Sequence, residues 1–196
     1  MRGWHFRPYT YKDENGDGLL VPSEVQVSPT FRYFGYSQPR DILSIQNGFD
    51  LLQRKLRINA MFDYKGGYKL LNQTANIQCA QSNSCPGASK PDATLAEQAA
   101  NIATRNSNPS TALGFLQNGA YWRFRELSAT LTLPQRLLSV ARASDASLTF
   151  AARNLVLWTD YTGPDPEANW SQTDVQQTYA TSGQRTYFTL RMALHY

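Results

Sequence analysis

The chain has 196 residues, a formal net charge of +4, and is 41% hydrophobic, 12% aromatic and 17% charged. That length allows a substantial core, and eleven Tyr, nine Phe and four Trp beside so few charges favour β structure over a charged helical domain. Scattered rather than clustered Lys and Arg argue against a nucleic-acid partner, and no stretch approaches the ~18 apolar residues of a membrane helix, so any bilayer crossing is by strands.

Residues 1–7 contain no apolar core of a secretory signal. An exported role then requires this chain to be a fragment. Next comes the one ligand-like motif. Asp13, Asn15 and Asp17 stand at loop positions one, three and five, Gly18 at six, Leu19 at seven and Glu24 at twelve. This is the spacing by which a short loop wraps a calcium ion, with Leu19 offering its carbonyl. Pro22 rules out an EF-hand exit helix. The competing reading is a solvated acidic turn, because Asn15-Gly16-Asp17-Gly18 is also strong turn chemistry.

Residues 40–51 read as a strand with Leu43, Ile45, Phe49 and Leu51 on one face, Asn47 interrupting. A short connection at 52–54 leads to a strand within 54–68, where Leu56, Ile58, Ala60, Phe62 and Tyr64 alternate with Lys55, Arg57, Asn59, Met61, Asp63 and Lys65. The charged face cannot meet lipid but fits a watery lumen. Residues 66–118 form a long polar segment with one helix expected at 93–105, from the spacing of Leu95, Ala99 and Ile102. Cys79 and Cys85 lie within it, and no neighbouring His or second Cys pair completes a zinc site. A small disulfide loop, implying an oxidising compartment, competes with two unpaired thiols.

A strand at 119–133 carries Leu127, Ala129, Leu131 and Leu133 in one phase, while Trp122 and Phe124 sit in the opposite one. Such a slip marks a bulge or a strand end that has left the membrane. A strand at 146–158 follows, then a polar loop over about 159–185, in which Asp165 and Glu167 read as turn residues rather than paired catalytic carboxylates. The last strand, 186–196, sets Phe188, Leu190, Met192, Leu194 and Tyr196 against Thr189, Arg191, Ala193 and His195. Its length matches the ~9–11 residues of a tilted transmembrane strand. Short and long connections alternate, as periplasmic turns and outer loops do in outer-membrane barrels, which puts the Cys loop, the 159–185 loop and the Asp13 loop outside the cell.

Four stretches, in order, carry a family resemblance. Tyr11 to Gly18 resembles the "KDxNGDG" stretch of SusC/RagA-type TonB-linked outer-membrane proteins; Gly119 to Leu127 followed by Leu131 to Pro134 resembles their arginine-rich strand ending in "TLP". Arg153-Asn154-Leu155, Trp158 to Tyr161 and Gly163 to Glu167 resemble "xNLxxWTxYxGxDPE", and Arg185 to Leu190 resembles their closing strand, with Gln184 replacing the usual Pro. The resemblance implies an all-β, antiparallel curved sheet: about the last five strands of a 22-stranded transmembrane barrel, with long extracellular loops and residues 1–196 as its C-terminal portion. It implies an outer-membrane importer of glycans, peptides or other large nutrients. Such importers pair with a SusD-like surface lipoprotein and are powered by TonB through an N-terminal part that this chain lacks.

No catalytic set is legible, because His5 and His195 are the only histidines and lie near opposite termini. The alternative class is a soluble, calcium-stabilised β-sandwich binding carbohydrate on Trp122, Trp158, Trp170 and Tyr161. The two differ in whether the Leu/Phe faces are buried or exposed.

Overall fold

The computed structural model describes residues 3–134, 138, 143–168 and 175–195. In chain order its elements are β1 (Gly3–Phe6), β2 (Tyr9–Tyr11), β3 (Val25–Val27), β4 (Arg32–Tyr36), β5 (Asp41–Leu51), β6 (Leu56–Gly66), β7 (Lys69–Asn72), α1 (Gln73–Ala80), α2 (Pro86–Ser89), α3 (Leu95–Arg105), β8 (Leu116–Asn118), β9 (Tyr121–Thr132), β10 (Asp145–Thr159), β11 (Gln177–Thr178) and β12 (Tyr187–His195). They fall into two compact units. A sheet unit holds Asp41–Gly66, Tyr121–Thr159 and Gln184–Tyr196; a loop unit holds Met1–Arg40, Gly67–Ala120 and Asp160–Gly183. The fold is all-β with few helices, and its strand pairs are antiparallel apart from the parallel pair β7–β11.

In the sheet unit, five antiparallel strands run in the order β12-β10-β9-β6-β5. The five expected strands are all present, with ends within about two residues of the sequence reading. Period-two alternation fixes their register, since a one-residue slip would turn every side chain to the other face. Phe49, Ile58, Ala129, Phe150 and Leu190 form one row across all five strands. β5 and β12 are the edges, so the sheet is open; no closed barrel forms from this chain among the described residues. Tyr196 and Trp170 lie outside the described residues.

One face of this sheet is apolar and uncovered. Leu190 is 70% exposed and Phe188 65%; Phe49, Leu127, Leu131, Phe150, Met192 and Leu194 are exposed as well. Ile42 belongs to the polar phase of β5, opposite Lys65. A soluble sandwich covers such residues with a second layer. The exposure of a whole apolar face corrects the sandwich alternative. Tyr161, one of its proposed platforms, is only 5% exposed and hydrogen-bonded to Thr178.

The phase slip in β9 is a bulge. β6 places Met61 opposite Glu126 and Phe62 opposite Phe124, so Arg125 is an extra residue. On the other side, Arg153 of β10 faces Glu126 and Val156 faces Phe124, so Asn154 and Leu155 together oppose Arg125. Asn154 takes φ +54°, a left-handed conformation that Asn tolerates better than most residues. The β5–β6 connection bends through Leu52, Gln53 and Arg54, at φ +52°, +58° and +68°.

The loop unit departs most from expectation. Within it β3 pairs with β2, and β4 pairs with β1. The long polar segment builds β7, β8, three α-helices and a 3-10 turn at Leu113–Phe115. α1 starts at Asn72, whose side chain accepts from the Ala75 N–H at 3.1 Å. Cys79 is its one buried residue, so no periodic apolar stripe announces it. α3 matches the expected helix and buries residues 98–103. Cys79 and Cys85 form a disulfide, and both sulfurs lie in a cluster with Trp4, Leu71, Ala100 and Phe115.

Candidate functional site

The loop from β2 to β3 places the predicted calcium ligands, and its backbone closes at Lys12 N–H to Glu24 O, 3.1 Å. Asp13 accepts from the Gly16 N–H at 2.7 Å through Oδ1 and from the Gly18 N–H at 2.9 Å through Oδ2. Asp17 Oδ1 accepts from the Leu19 N–H at 2.8 Å, and Asp17 Oδ2 accepts from Asn15 Nδ2 at 2.9 Å. Glu24 accepts from the Glu14 and Val21 N–H groups, each at 2.9 Å. Asn15 and Asp17 are therefore in contact, while Asp13 and Glu24 are each tied to backbone. Among the described residues no group of three or more His, Cys, Asp or Glu is placed to hold a metal. Gly16 and Gly18 take φ +73° and +79°, the conformation that this turn needs and that glycine adopts freely.

Sequence reasoning missed how this loop is anchored. Leu20 is buried against Val25, Ala99, Ile102 and Ala103. Gln98 of α3 accepts from the Leu20 N–H at 2.8 Å and donates to Gly18 O and Ala93 O, each at 3.0 Å. A glutamine on the apolar stripe between Leu95 and Ile102 was the available signal, because a buried amide requires partners.

The second candidate site is the polar face of the sheet. Asp63 Oδ1 accepts from Ser44 Oγ at 2.7 Å, and Asp63 Oδ2 accepts from Arg125 Nε at 2.7 Å. The Arg125 guanidinium also donates to Asn154 Oδ1 and Gln184 Oε1, each at 3.4 Å. Asn154 in turn donates to Arg185 O at 3.3 Å and accepts at its own carbonyl from Thr186 Oγ1 at 2.8 Å. Arg153 pairs with Glu126 at 2.6 Å. On the opposite face Phe62 stacks on Phe124 at 4.5 Å, and Tyr64 meets Trp122 at 4.9 Å. Trp158 lies beside Trp122 in register, giving an aromatic row over three strands.

A cavity of about 350 Å³ in the loop unit is lined by Tyr9, the Cys79–Cys85 disulfide and Phe115, with Glu97 and Gln117 as polar members. Gln117 is engaged with the Thr162 N–H and hydroxyl, and Glu97 with Thr94. Burial raises the phenol pKa of both Tyr68 and Tyr161, so both stay protonated near neutrality. Asp165 accepts from the Glu167 N–H at 2.9 Å, the expected turn role.

No protein-family model matches the sequence. TonB-dependent receptor P3 of Formosa agariphila is 27% identical over 178 residues, covering 88% of this chain and 17% of that protein. The RagAB peptide importer in its open-open state matches with a TM-score of 0.64 and 15% identity, over 99% of this chain and 22% of the other. The RagAB peptide transporter matches at 0.63 and 17% identity, over 98% of this chain and 22% of the other. The fold therefore matches part of a chain in these solved structures, of which this chain spans less than a quarter. In its motifs and in these likenesses, the chain resembles a fragment of a SusC/RagA-type TonB-dependent receptor. The proteins it resembles are a receptor and transporters rather than enzymes.

Proposed function

We propose that residues 1–196 are the C-terminal portion of a 22-stranded TonB-dependent barrel in the outer membrane. The intact protein imports glycans, peptides or other large nutrients. It works with a SusD-like lipoprotein and draws on TonB through its N-terminal part. The observation that carries this reading is the sheet: five strands with an uncovered apolar face opposite a face of Arg, Lys, Asp, Ser and Thr. Lipid suits the first face and a watery lumen the second. The Tyr64–Trp122–Trp158 row fits an interfacial aromatic girdle. Fractionation of cells making the full-length protein tests it. Recovery in the outer membrane, with release only into detergent, is expected; a monodisperse form in plain buffer overturns it. Labelled-peptide and labelled-glycan uptake, compared between parent and receptor-deleted cells, assigns the cargo.

We also propose that the Asp13 loop takes up calcium through Asp13, Asn15, Asp17, the Leu19 carbonyl and Glu24. Each carboxylate oxygen bound to one N–H keeps a further lone pair, so the hydrogen bonds leave acceptor capacity. Val21 at position nine supplies no side-chain oxygen, which points to the weak ~10⁻⁴–10⁻³ M class of extracellular sites. Calorimetry on the intact protein and on Asp17→Ala decides it: heat in the parent and none in the variant is expected. No heat in either leaves a hydrogen-bonded turn alone.

A further inference from the structure

The four strands that cross the bulge level, β5, β6, β9 and β10, do not share one residue count through it. Between the rows of Met61 and Phe62, β6 has no intervening residue, β9 has one (Arg125), and β10 has two (Asn154 and Leu155). One extra residue inverts the phase of a strand and two restore it. β9 alone therefore changes phase. Below the bulge it shows Leu127, Ala129 and Leu131 to the apolar face; above it, Trp122 and Phe124. Without the bulge, the upper half of β9 would present Arg123 to the apolar face and withdraw both aromatic rings.

Arg125, the extra residue, is also the centre of the polar network. Its guanidinium bonds Asp63 of β6 on one side and Asn154 of β10 and Gln184, ahead of β12, on the other. Asp63 continues the chain to Ser44 of β5, and Asn154 continues it to Arg185 and Thr186. The tie thus crosses the sheet from one edge strand to the approach to the other, at the level where the residue counts diverge. Asp63 and Arg125 are mostly covered, at 14% and 21% side-chain exposure, and the Nε–Oδ2 distance is 2.7 Å. A charge-assisted bond of this length is directional, so it holds one geometry and penalises neighbours.

We propose that Arg125 is a positioning residue that locks the register of β9, with Asp63 as its anchor. A flat slip of the upper half of β9 by one residue moves the guanidinium away from Asp63 and leaves a mostly covered carboxylate without that partner. The lock therefore acts against the unbulged register, and in the same direction as the alternation of Trp122 and Phe124 with Arg123. This rests on the sheet alone and holds whatever the cargo or the metal.

Cysteine cross-linking in the full-length protein, made in its own outer membrane, tests it. Tyr64→Cys with Trp122→Cys reports the observed register, in which these residues are opposite. Tyr64→Cys with Arg123→Cys reports the slipped one. The native Cys79–Cys85 pair is already bonded and does not compete. With Arg125 present, the first pair is expected to cross-link at least tenfold more than the second. In Arg125→Ala the ratio should fall several-fold, Arg125→Lys should recover part of it, and the swap Asp63→Arg with Arg125→Asp should recover more than either single change. An unchanged ratio in Arg125→Ala overturns the lock. Should that variant fail to reach the membrane, Asp63→Ala is read in its place, and an unchanged ratio there overturns it equally.

Discussion

The sheet unit and the loop unit treat their apolar residues in opposite ways. The sheet leaves Leu190 70% and Phe188 65% exposed, whereas the loop unit sinks Leu70, Ala99 and Ala103 to 0%. The sheet is ordered by strand-to-strand hydrogen bonds and the alternation of its faces. The loop unit is ordered by small apolar clusters, one disulfide and buried side-chain amides. A fold of the first kind depends on what covers its face; one of the second kind carries its own core.

The sharpest way to break this contrast is a charge on the uncovered face. Leu190 lies in the central row with Phe150, Ala129, Ile58 and Phe49. Leu190→Arg should cost roughly 2–4 kcal/mol in a bilayer. It should abolish assembly of the full-length protein, scored by heat-modifiable migration of the membrane fraction. Thr189→Arg, one residue away on the other face, should assemble as the parent does. Equal effects would refute the face assignment.

Next in size is the disulfide. Closing the six-residue separation of Cys79 and Cys85 restrains the unfolded chain by roughly 2 kcal/mol. The paired change Cys79→Ser with Cys85→Ser should raise amide exchange in α1 and α3 while leaving β6, β9 and β10 as protected as before. Loosening of both units alike would mean that they do not order independently.

The two units also differed in how far their sequences disclosed them. Strands β5, β6, β9, β10 and β12 were legible because their apolar and polar residues alternate, with Asn47 as an interruption in β5, and the change of phase between Phe124 and Leu127 was legible from the same alternation. The connection at Leu52, Gln53 and Arg54 was legible as well, but its left-handed backbone was not, since three such residues in a row usually require Gly or Asn. In the loop unit, α3 showed its apolar spacing, and Thr94-Leu95-Ala96-Glu97 is moreover a capping-box pattern. α1 was hidden because its neighbours in space, not its own periodicity, hold it. The Asp13 loop was legible as a turn. Its tether was not, because Gln98 is about eighty residues away in sequence.

That tether provides the third test. Gln98→Ala removes the partners of Leu20 N–H, Gly18 O and Ala93 O. A buried backbone group left unpaired costs about 1–3 kcal/mol, and nearby water lowers that figure here. We expect a loss of about 1–2 kcal/mol of local stability, read as faster exchange at the Leu20 N–H and at residues 16–19, with the sheet unaffected. Gln98→Glu keeps an acceptor for Leu20 but no donor for Gly18, so it should recover part of the protection. A loop as protected in Gln98→Ala as in the parent would show that Leu20 alone holds it.

The smallest expected effect is a pH dependence confined to the loop unit. The Glu97 carboxylate accepts from the Thr94 N–H at 2.9 Å and from the Thr94 hydroxyl at 2.9 Å. These bonds, the backbone one first, hold its pKa below the usual 4.5. A carboxyl whose folded pKa is depressed adds stability that is fully present above its unfolded value. That contribution is lost as pH falls through the lower, folded value. The first turn of α3 should therefore exchange faster as pH drops below about 4.5, relative to the same residues at pH 7 and after correction for intrinsic rates. Thr94→Ala removes the hydroxyl, weakens the depression, and should move the midpoint of the change upward in pH. Glu97→Gln removes the titrating group and should flatten the profile. Because Glu97 is at the surface, the change should stay within the first turn and never reach the sheet. A profile that survives in Glu97→Gln would show that the Thr94–Glu97 bonds are not the source of the pH dependence.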